Sequence, residues 1–292
     1  METWQQWQQG GRRIEVRLPG GTFGIFVREH GEGPVVTLVH GFPMSSYDWA
    51  RLEPLLAQDH RVVSLDLLGY GGSDVPTRHR YSTAQHADVV QAVWRELGVT
   101  STALVGHDVG TGVARELLTR HDEGSPAVAL TGALFLNGAL ILDHYTPKRI
   151  VRLLARPVVG GLIARSMDER RFTEALQVLF ADATRPPAAE FHEYWTAFAG
   201  RAGTARLPGL VHFVEDNEAN EQRWLAALAA TGVPVSVVWG RADTAVSSAV
   251  ADDVARRLPR VALTRLDGVG HAPHVERPDV VADAVRALVT SR

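Results

Sequence analysis

The sequence predicts an α/β fold: a doubly wound, mostly parallel sheet with an inserted helical unit. Three observations predict it. Short apolar runs alternate with longer amphipathic ones along the chain, which is the rhythm of repeated βα units. The short runs are rich in Val and Leu on both faces, as strands covered by helices on both sides must be. Between residues 141 and 230 the rhythm stops and only helical periodicity remains.

Taken in order, "GTFGIFVREHG" and "PVVTLVHG" read as neighbouring strands and "RVVSLDLLGYG" as the next. The amphipathic run "STAQHADVVQAVWRELG" reads as a helix opening at Ser82, because a serine hydroxyl satisfies a free N–H of the first turn. "STALVGHD" is a strand and "GTGVARELLTRH" a helix. The longest apolar run, Leu130 to Leu142, is broken by Gly and Asn and reads as a buried strand with the segment directly after it. Helical periodicity then runs through "PKRIVRLLARPVVGGLIARSM" and "FTEALQVLFADA", interrupted at Pro186-Pro187 and Pro208-Gly209. Strand and helix return with "PVSVVWGRAD", "SSAVADDVARRLP" and "VALTRLDGVGHA". "RPDVVADAVRALVTSR" closes the chain as a helix with Pro278 near its first turn, where proline is well tolerated. The expected division is a core of residues 1–140 and 231–292 with a helical cap at 141–230.

Composition excludes several function classes. The chain has 292 residues, 45% of them hydrophobic, and a net charge of -3. That balance leaves no electrostatic footprint for nucleic acid. With no cysteine, there is neither a disulfide framework nor a thiolate metal site. The opening "METWQQWQQGGRR" lacks the apolar stretch of a secretory signal, and no run is long enough to span a bilayer. The expectation is a soluble, cytoplasmic monomer or homodimer. It would act on a small molecule with no metal and no cofactor.

The chemistry centres on "VGHDVGTG", in which Gly106 and Gly110 flank Asp108 between a strand and a helix. Small flanking residues permit the tight turn that lifts one nucleophilic side chain above a sheet. The helix N-terminus behind it stabilises negative charge. Taken alone, Asp108 fits a helix N-cap equally well. Two further stretches add to it. "WGRADTAV" places Asp243 at the end of a strand, and "VGHAPHVERP" places His271 in a glycine-flanked loop before the last helix. The order is nucleophile, acid, histidine, and all three lie where strands end, the usual position of sites on open α/β sheets. Asp143 is a competing acid, although Asn137 holds the end of its strand. His274 competes with His271 but is expected to face solvent or pack. In "HGFP", residues His40 to Pro43, the turn leaves the backbone N–H of Phe42 free. With the N–H of Val109 it forms a candidate oxyanion hole, a device that contributes about 3–4 kcal/mol per donor. A plain turn is the alternative. Tyr47 and Trp49 read as packing residues, Asp66 and Asp74 as loop braces, and His107 as a support for the turn.

"HGFPMSSYDW", "DLLGYGGSDVP", "VGHDVG", "GRAD" and "GHAPHVERP" occur in this order and together resemble the α/β-hydrolase superfamily. Within it, the chain is similar to the aspartate-nucleophile branch of epoxide hydrolases and haloalkane dehalogenases. It is nearest to epoxide-hydrolase-like proteins of the mesoderm-specific transcript type. The resemblance is strong in the core and weak in the insertion. It implies an α/β-hydrolase fold with a helical cap, and an alkyl-enzyme ester on Asp108. A carboxylate suits attack at saturated carbon, since its attack on an ester would give an anhydride that reverts. Water activated by His271 would hydrolyse the alkyl ester, with Asp243 orienting the imidazole.

The expected activity is therefore opening of a largely apolar epoxide to a vicinal diol. A haloalkane dehalogenase-like hydrolase is the alternative, and a non-catalytic ligand-binding protein of this fold is a third reading. Dehalogenases usually carry Trp after the nucleophile and many carry Asn at the position of Phe42; here the former is Val109. An opening epoxide needs a proton, which the resemblance assigns to cap tyrosines. Tyr145 and Tyr194 are the candidates. His212 is a third, because "GLVHFVEDNEANEQRW" lacks the late cap tyrosine.

Overall fold

The structure is a computed structural model that describes residues 2–76, 79–124, 128–200 and 203–290. Eight strands form one sheet: β1 Arg12–Leu18, β2 Gly21–His30, β3 Val35–Val39, β4 Arg61–Leu65, β5 Ser101–His107, β6 Ala129–Leu136, β7 Val235–Gly240 and β8 Ala262–Leu266. Their order is β1-β2-β4-β3-β5-β6-β7-β8. β2 is antiparallel to both β1 and β4, and every pairing from β4 to β8 is parallel.

Two expectations are corrected. β2 and β3 are not neighbours, because β4 lies between them. A parallel strand cannot return directly beside its predecessor without a crossover, and the segment from 40 to 60 supplies it. β1 is an additional strand, absent from the sequence-based expectation. Its sequence "RRIEVRL" alternates charged and apolar residues, the pattern of a strand at an exposed edge. The short helix Trp4–Gln9 is likewise additional, although Thr3 and Gln6 form a reciprocal capping box at its start.

The central strands send successive residues to opposite cores. Val36 and Leu38 enter one hydrophobic cluster while Val39 enters the other. Ala103 and Val105 likewise part from Leu104. Burial on both faces explains the unbroken apolar runs. Helices Thr83–Glu96 and Val109–Asp122 cover one face, while Glu53–Leu56 and Pro278–Thr290 pack on the other. Ser82 caps Thr83–Glu96 through its hydroxyl.

Between β6 and β7 the described residues are helical or irregular, with no strand. The main helices are Arg149–Leu154, Pro157–Ser166, Glu169–Gln177, Ala188–Ala199 and Phe213–Ala230. Phe172, Leu176, Phe191 and Phe198 from this insertion belong to the same buried cluster as Val105 and Leu136 of the sheet. The insertion and the core thus share apolar packing. No helix among the described residues is long and apolar enough to cross a membrane.

Candidate active site

Asp108 ends β5 and precedes the helix Val109–Asp122, with φ 49° and ψ -113°. Among the described residues it alone combines a side chain with a positive φ. That backbone is costly for a non-glycine residue and persists only where the surroundings impose it. They do so through close approach. A Cβ on Gly110 would lie 2.1 Å from the carbonyl oxygen of Val39, and one on Gly41 would lie 2.6 Å from Asp108 Cβ. The glycines therefore let β3, its following loop and the new helix converge on one carboxylate. Asp108 makes no side-chain cap bond to its helix, so the capping alternative does not hold.

The carboxylate faces the donors that the sequence suggested. The N–H of Phe42 donates to Asp108 Oδ2 at 2.8 Å, and the N–H of Val109, next in the chain, also favours the charged carboxylate. The Phe42–Pro43 peptide is cis. His40 steadies this loop by accepting the N–H of Leu67 at 3.0 Å on Nε2. Asp66 accepts the N–H groups of Ser46 and Gly72, each at 2.7 Å. Asp74 accepts the N–H of Gly24 at 2.6 Å. Both aspartates brace loops, as read from the sequence, and Tyr47 and Trp49 are fully buried packing residues.

His271 stands across the site. Its Nε2 is 3.9 Å from Asp108 Oδ1, and its Nδ1 is 2.8 Å from Asp243 Oδ2. Asp243 Oδ1 accepts the N–H groups of Ala245 at 2.6 Å and Val246 at 3.0 Å. Asn137 donates to Asp243 Oδ2 at 2.8 Å and to the Gly240 carbonyl at 3.0 Å. It thereby ties the end of β6 to the acid after β7. Asp143 is exposed and pairs with Arg257, which removes it as a competing acid. His274 is fully buried, not solvent-facing, with its ring 4.4 Å from those of Trp49 and His107. His107 supports the loop that bears His271 rather than the turn alone: its Nε2 bonds the His271 carbonyl at 2.9 Å. Asp48, His107 and His274 bring ligand-type atoms within 4.8 Å of one another below this loop, a buried polar cluster that no sequence motif marks.

The charges are linked. Burial opposes the charge on Asp243, but the facing His271 and bonds from His271, Asn137 and Val246 hold its carboxyl below the usual value. Burial also opposes a charged His271. The charge of Asp243, its hydrogen bond and the charge of Asp108 outweigh it, raising the imidazole to about 9. For Asp108, burial pushes the carboxyl up, against the pull of His271 and the two N–H donors.

A cavity of about 150 Å³ opens over Asp108 and His271. Its walls are mostly apolar, including Phe172, Leu176, Phe198 and Phe213. Tyr145 lines it, and burial and then the charge of Asp108 raise its phenol above the usual range. The other two acid candidates lie elsewhere. Tyr194 is buried against Tyr47 and Phe191, with ring centroids 5.6 and 6.2 Å away, and is absent from the cavity wall. His212 turns toward Glu215, with Nδ1 3.4 Å from its carboxylate, and Phe213 faces the cavity in its place. Lys148, which no sequence signal singles out, also lines the cavity and lies 3.4 Å from the Thr244 hydroxyl.

A mostly parallel sheet with Asp108, Asp243 and His271 at its strand ends, two backbone donors on the first and helices over all three has the architecture of an α/β hydrolase. Residues 34–278 match the alpha/beta hydrolase fold family. The chain belongs to that family. It is 32% identical to LipZ of Mycobacterium tuberculosis over 287 residues, covering 98% of this chain and 97% of that one. It is 31% identical to the human mesoderm-specific transcript homolog protein over 268 residues, covering 89% and 80%. The solved structure of the epoxide hydrolase CorEH superposes with a TM-score of 0.74 at 19% identity, covering 95% and 98%, which is a likeness of fold.

Proposed function

We propose that this α/β hydrolase opens a small, largely apolar epoxide to a vicinal diol through an ester on Asp108. One observation carries the reading: the elbow presents a carboxylate, already held by oxyanion-type donors, at the floor of an apolar cavity that also holds a phenol. Asp108 Oδ1 attacks a ring carbon, and the C–O bond breaks. The alkoxide takes the proton of Tyr145, giving a hydroxyalkyl ester. The Asp108 anion is then gone, and with it one cause of the raised His271 basicity. His271 passes its proton through solvent to the Tyr145 phenolate and accepts another from water, which adds to Cγ of Asp108. The N–H groups of Phe42 and Val109 hold the resulting oxyanion. Collapse expels the diol and restores the carboxylate, leaving His271 protonated and Tyr145 neutral as at the start.

Halide departure fits the site less well. Among the described wall residues no Trp or Asn side chain offers an N–H. The hydrogen-bonded histidine and acid weigh against a purely binding role. The test is trapping. His271→Gln incubated with styrene oxide should accumulate an adduct with the mass of the epoxide on the peptide bearing Asp108, because ester formation survives and hydrolysis does not. An adduct on another residue, or none, sinks the reading. Faster bromide release from 1-bromohexane than opening of styrene oxide by the parent would favour the dehalogenase instead.

A further inference from the structure

The helix Pro157–Ser166 leaves large apolar residues on its outer face. Ordinarily a surface helix buries its large apolar residues. Here the inward face is built from Ala164, 1% exposed, from Gly160, where a Cβ would meet the Leu154 carbonyl oxygen at 2.1 Å, and from Ile163, packed against the buried cluster. Val158, one helical turn from Leu162 and so on the same face, is 76% exposed, and Leu162 is 59% exposed. Val159 is also exposed, as is Ile150 on the adjoining helix Arg149–Leu154. Scattered exposed apolar residues are ordinary, but a grouped set marks a contact surface.

The charge around this group is one-sided. Residues 149–166, which span the two helices, contain four basic residues and no acidic one, in a chain whose net charge is -3. Arg149, Arg152, Arg156 and Arg165 are exposed, and among the described residues none of the four is held in an ion pair. Arg149, Arg152 and Arg156 rim a shallow depression beside the patch. Ile150 is a wall residue of the cavity above Asp108 and also 41% exposed, so the cavity reaches the surface at this face.

We propose that this face docks the protein on an anionic lipid surface, with Val158 and Leu162 entering the acyl boundary and the arginines on the phosphates. Aliphatic side chains ringed by guanidinium groups are the pattern of a segment that lies in a membrane interface, and guanidinium matches phosphate geometry. A second copy of the chain is a poor occupant. A two-fold contact would set the same arginines against one another. Docked in this way, the mouth of the cavity at Ile150 opens toward lipid, and an apolar substrate dissolved there enters without crossing water. The proposal holds whichever bond the site cleaves.

The test is co-sedimentation of the full chain with phosphatidylcholine vesicles, with and without phosphatidylglycerol, at low and high salt. The parent should partition onto the mixed vesicles and be released by salt, since the lipid charge acts only within a Debye length. V158S/L162S and R152E/R156E should each lower partitioning at least about tenfold with parent-like thermal melting. Should V158S/L162S fail to fold, R152E/R156E alone decides. Partitioning no better on mixed than on neutral vesicles overturns the proposal, and so does parent-like binding by the charge-reversed pair. Sedimentation velocity that shows a dimer dissociated by V158S/L162S overturns it too, and makes the patch a contact between copies.

Discussion

Asp108 and His271 titrate as neighbours, and that coupling can be measured. An anion beside an imidazole stabilises its protonated form, so removing the anion moves the imidazole pKa down. In Asp108→Asn, His271 should titrate below the value of about 9 that the intact site imposes, as followed by NMR of the ring nitrogens. An unchanged titration would mean that Asp243 alone sets the imidazole. The same shift has a stability counterpart. Since the folded pKa exceeds the unfolded value of about 6.5, the stabilisation is complete below that pH and is lost as pH rises through about 9. Tyr145 gives a second prediction at this scale. Tyr145→Phe should slow ester formation about 10²–10⁴-fold, and Tyr194→Phe, whose ring lies outside the cavity wall, should leave it unchanged. Burst kinetics with a chromogenic epoxide separate the two, and equal effects would remove Tyr145 as the proton donor. The core positions are legible in the sequence because each carries a local backbone reason: glycines around Asp108, and strand ends for Asp243 and His271. Lys148 is not legible, since nothing in its neighbours tells that a lysine stem turns inward.

Neighbouring positions on a helix point about 100° apart, and that is why the helical insertion is harder to read than the sheet. His212 and Phe213 differ by one residue, yet Phe213 reaches the cavity and His212 faces Glu215. "FHEYW" announces an aromatic helix without saying that Tyr194 faces Tyr47. Strands give clearer signals because their burial on both faces needs no choice of face, although the alternating β1 is lost among its charges. One contact between elements is open to a direct test. Arg115, fully buried on the helix Val109–Asp122, donates to Asn217 at 2.9 Å, to Glu221 at 3.3 Å and to the Leu140 carbonyl at 3.1 Å. Its guanidinium also lies 4.5 Å above the ring of Trp224. Burial lowers its pKa to about 10 despite Glu221. Arg115→Ala should therefore cost about 2–3 kcal/mol in urea unfolding, because it leaves the buried Asn217 amide oxygen and the Leu140 carbonyl without their donor and loosens the helix Phe213–Ala230. A loss below about 1 kcal/mol would show that water replaces the guanidinium without penalty.

Across the whole molecule, the helix Trp4–Gln9 joins two parts that the chain order keeps far apart. Trp4 donates its backbone N–H to Glu193 Oε2 at 2.7 Å, on the helix Ala188–Ala199. The indole of Trp7 donates to Ser46 at 3.0 Å in the core, and Arg28 lies 4.0 Å over its ring. Tyr47, which touches Trp4, Trp7 and Tyr194, completes the junction. This small helix works as a strap. It pins one end of the roof, the helix Ala188–Ala199, to the foundation. A chain trimmed to begin at Arg12 should keep its sheet and lose the pin. Amide hydrogen exchange should then quicken across Ala188–Ala199 and hold steady in Phe213–Ala230, which is fastened separately by Arg115. Equal exchange in both helices before and after trimming would mean that the strap carries no tension. If it does carry tension, a tag or fusion crowding the first residues is not inert: it loosens the roof over Asp108 from a distance, and turnover measured on such a fusion reports a looser molecule than the untagged chain.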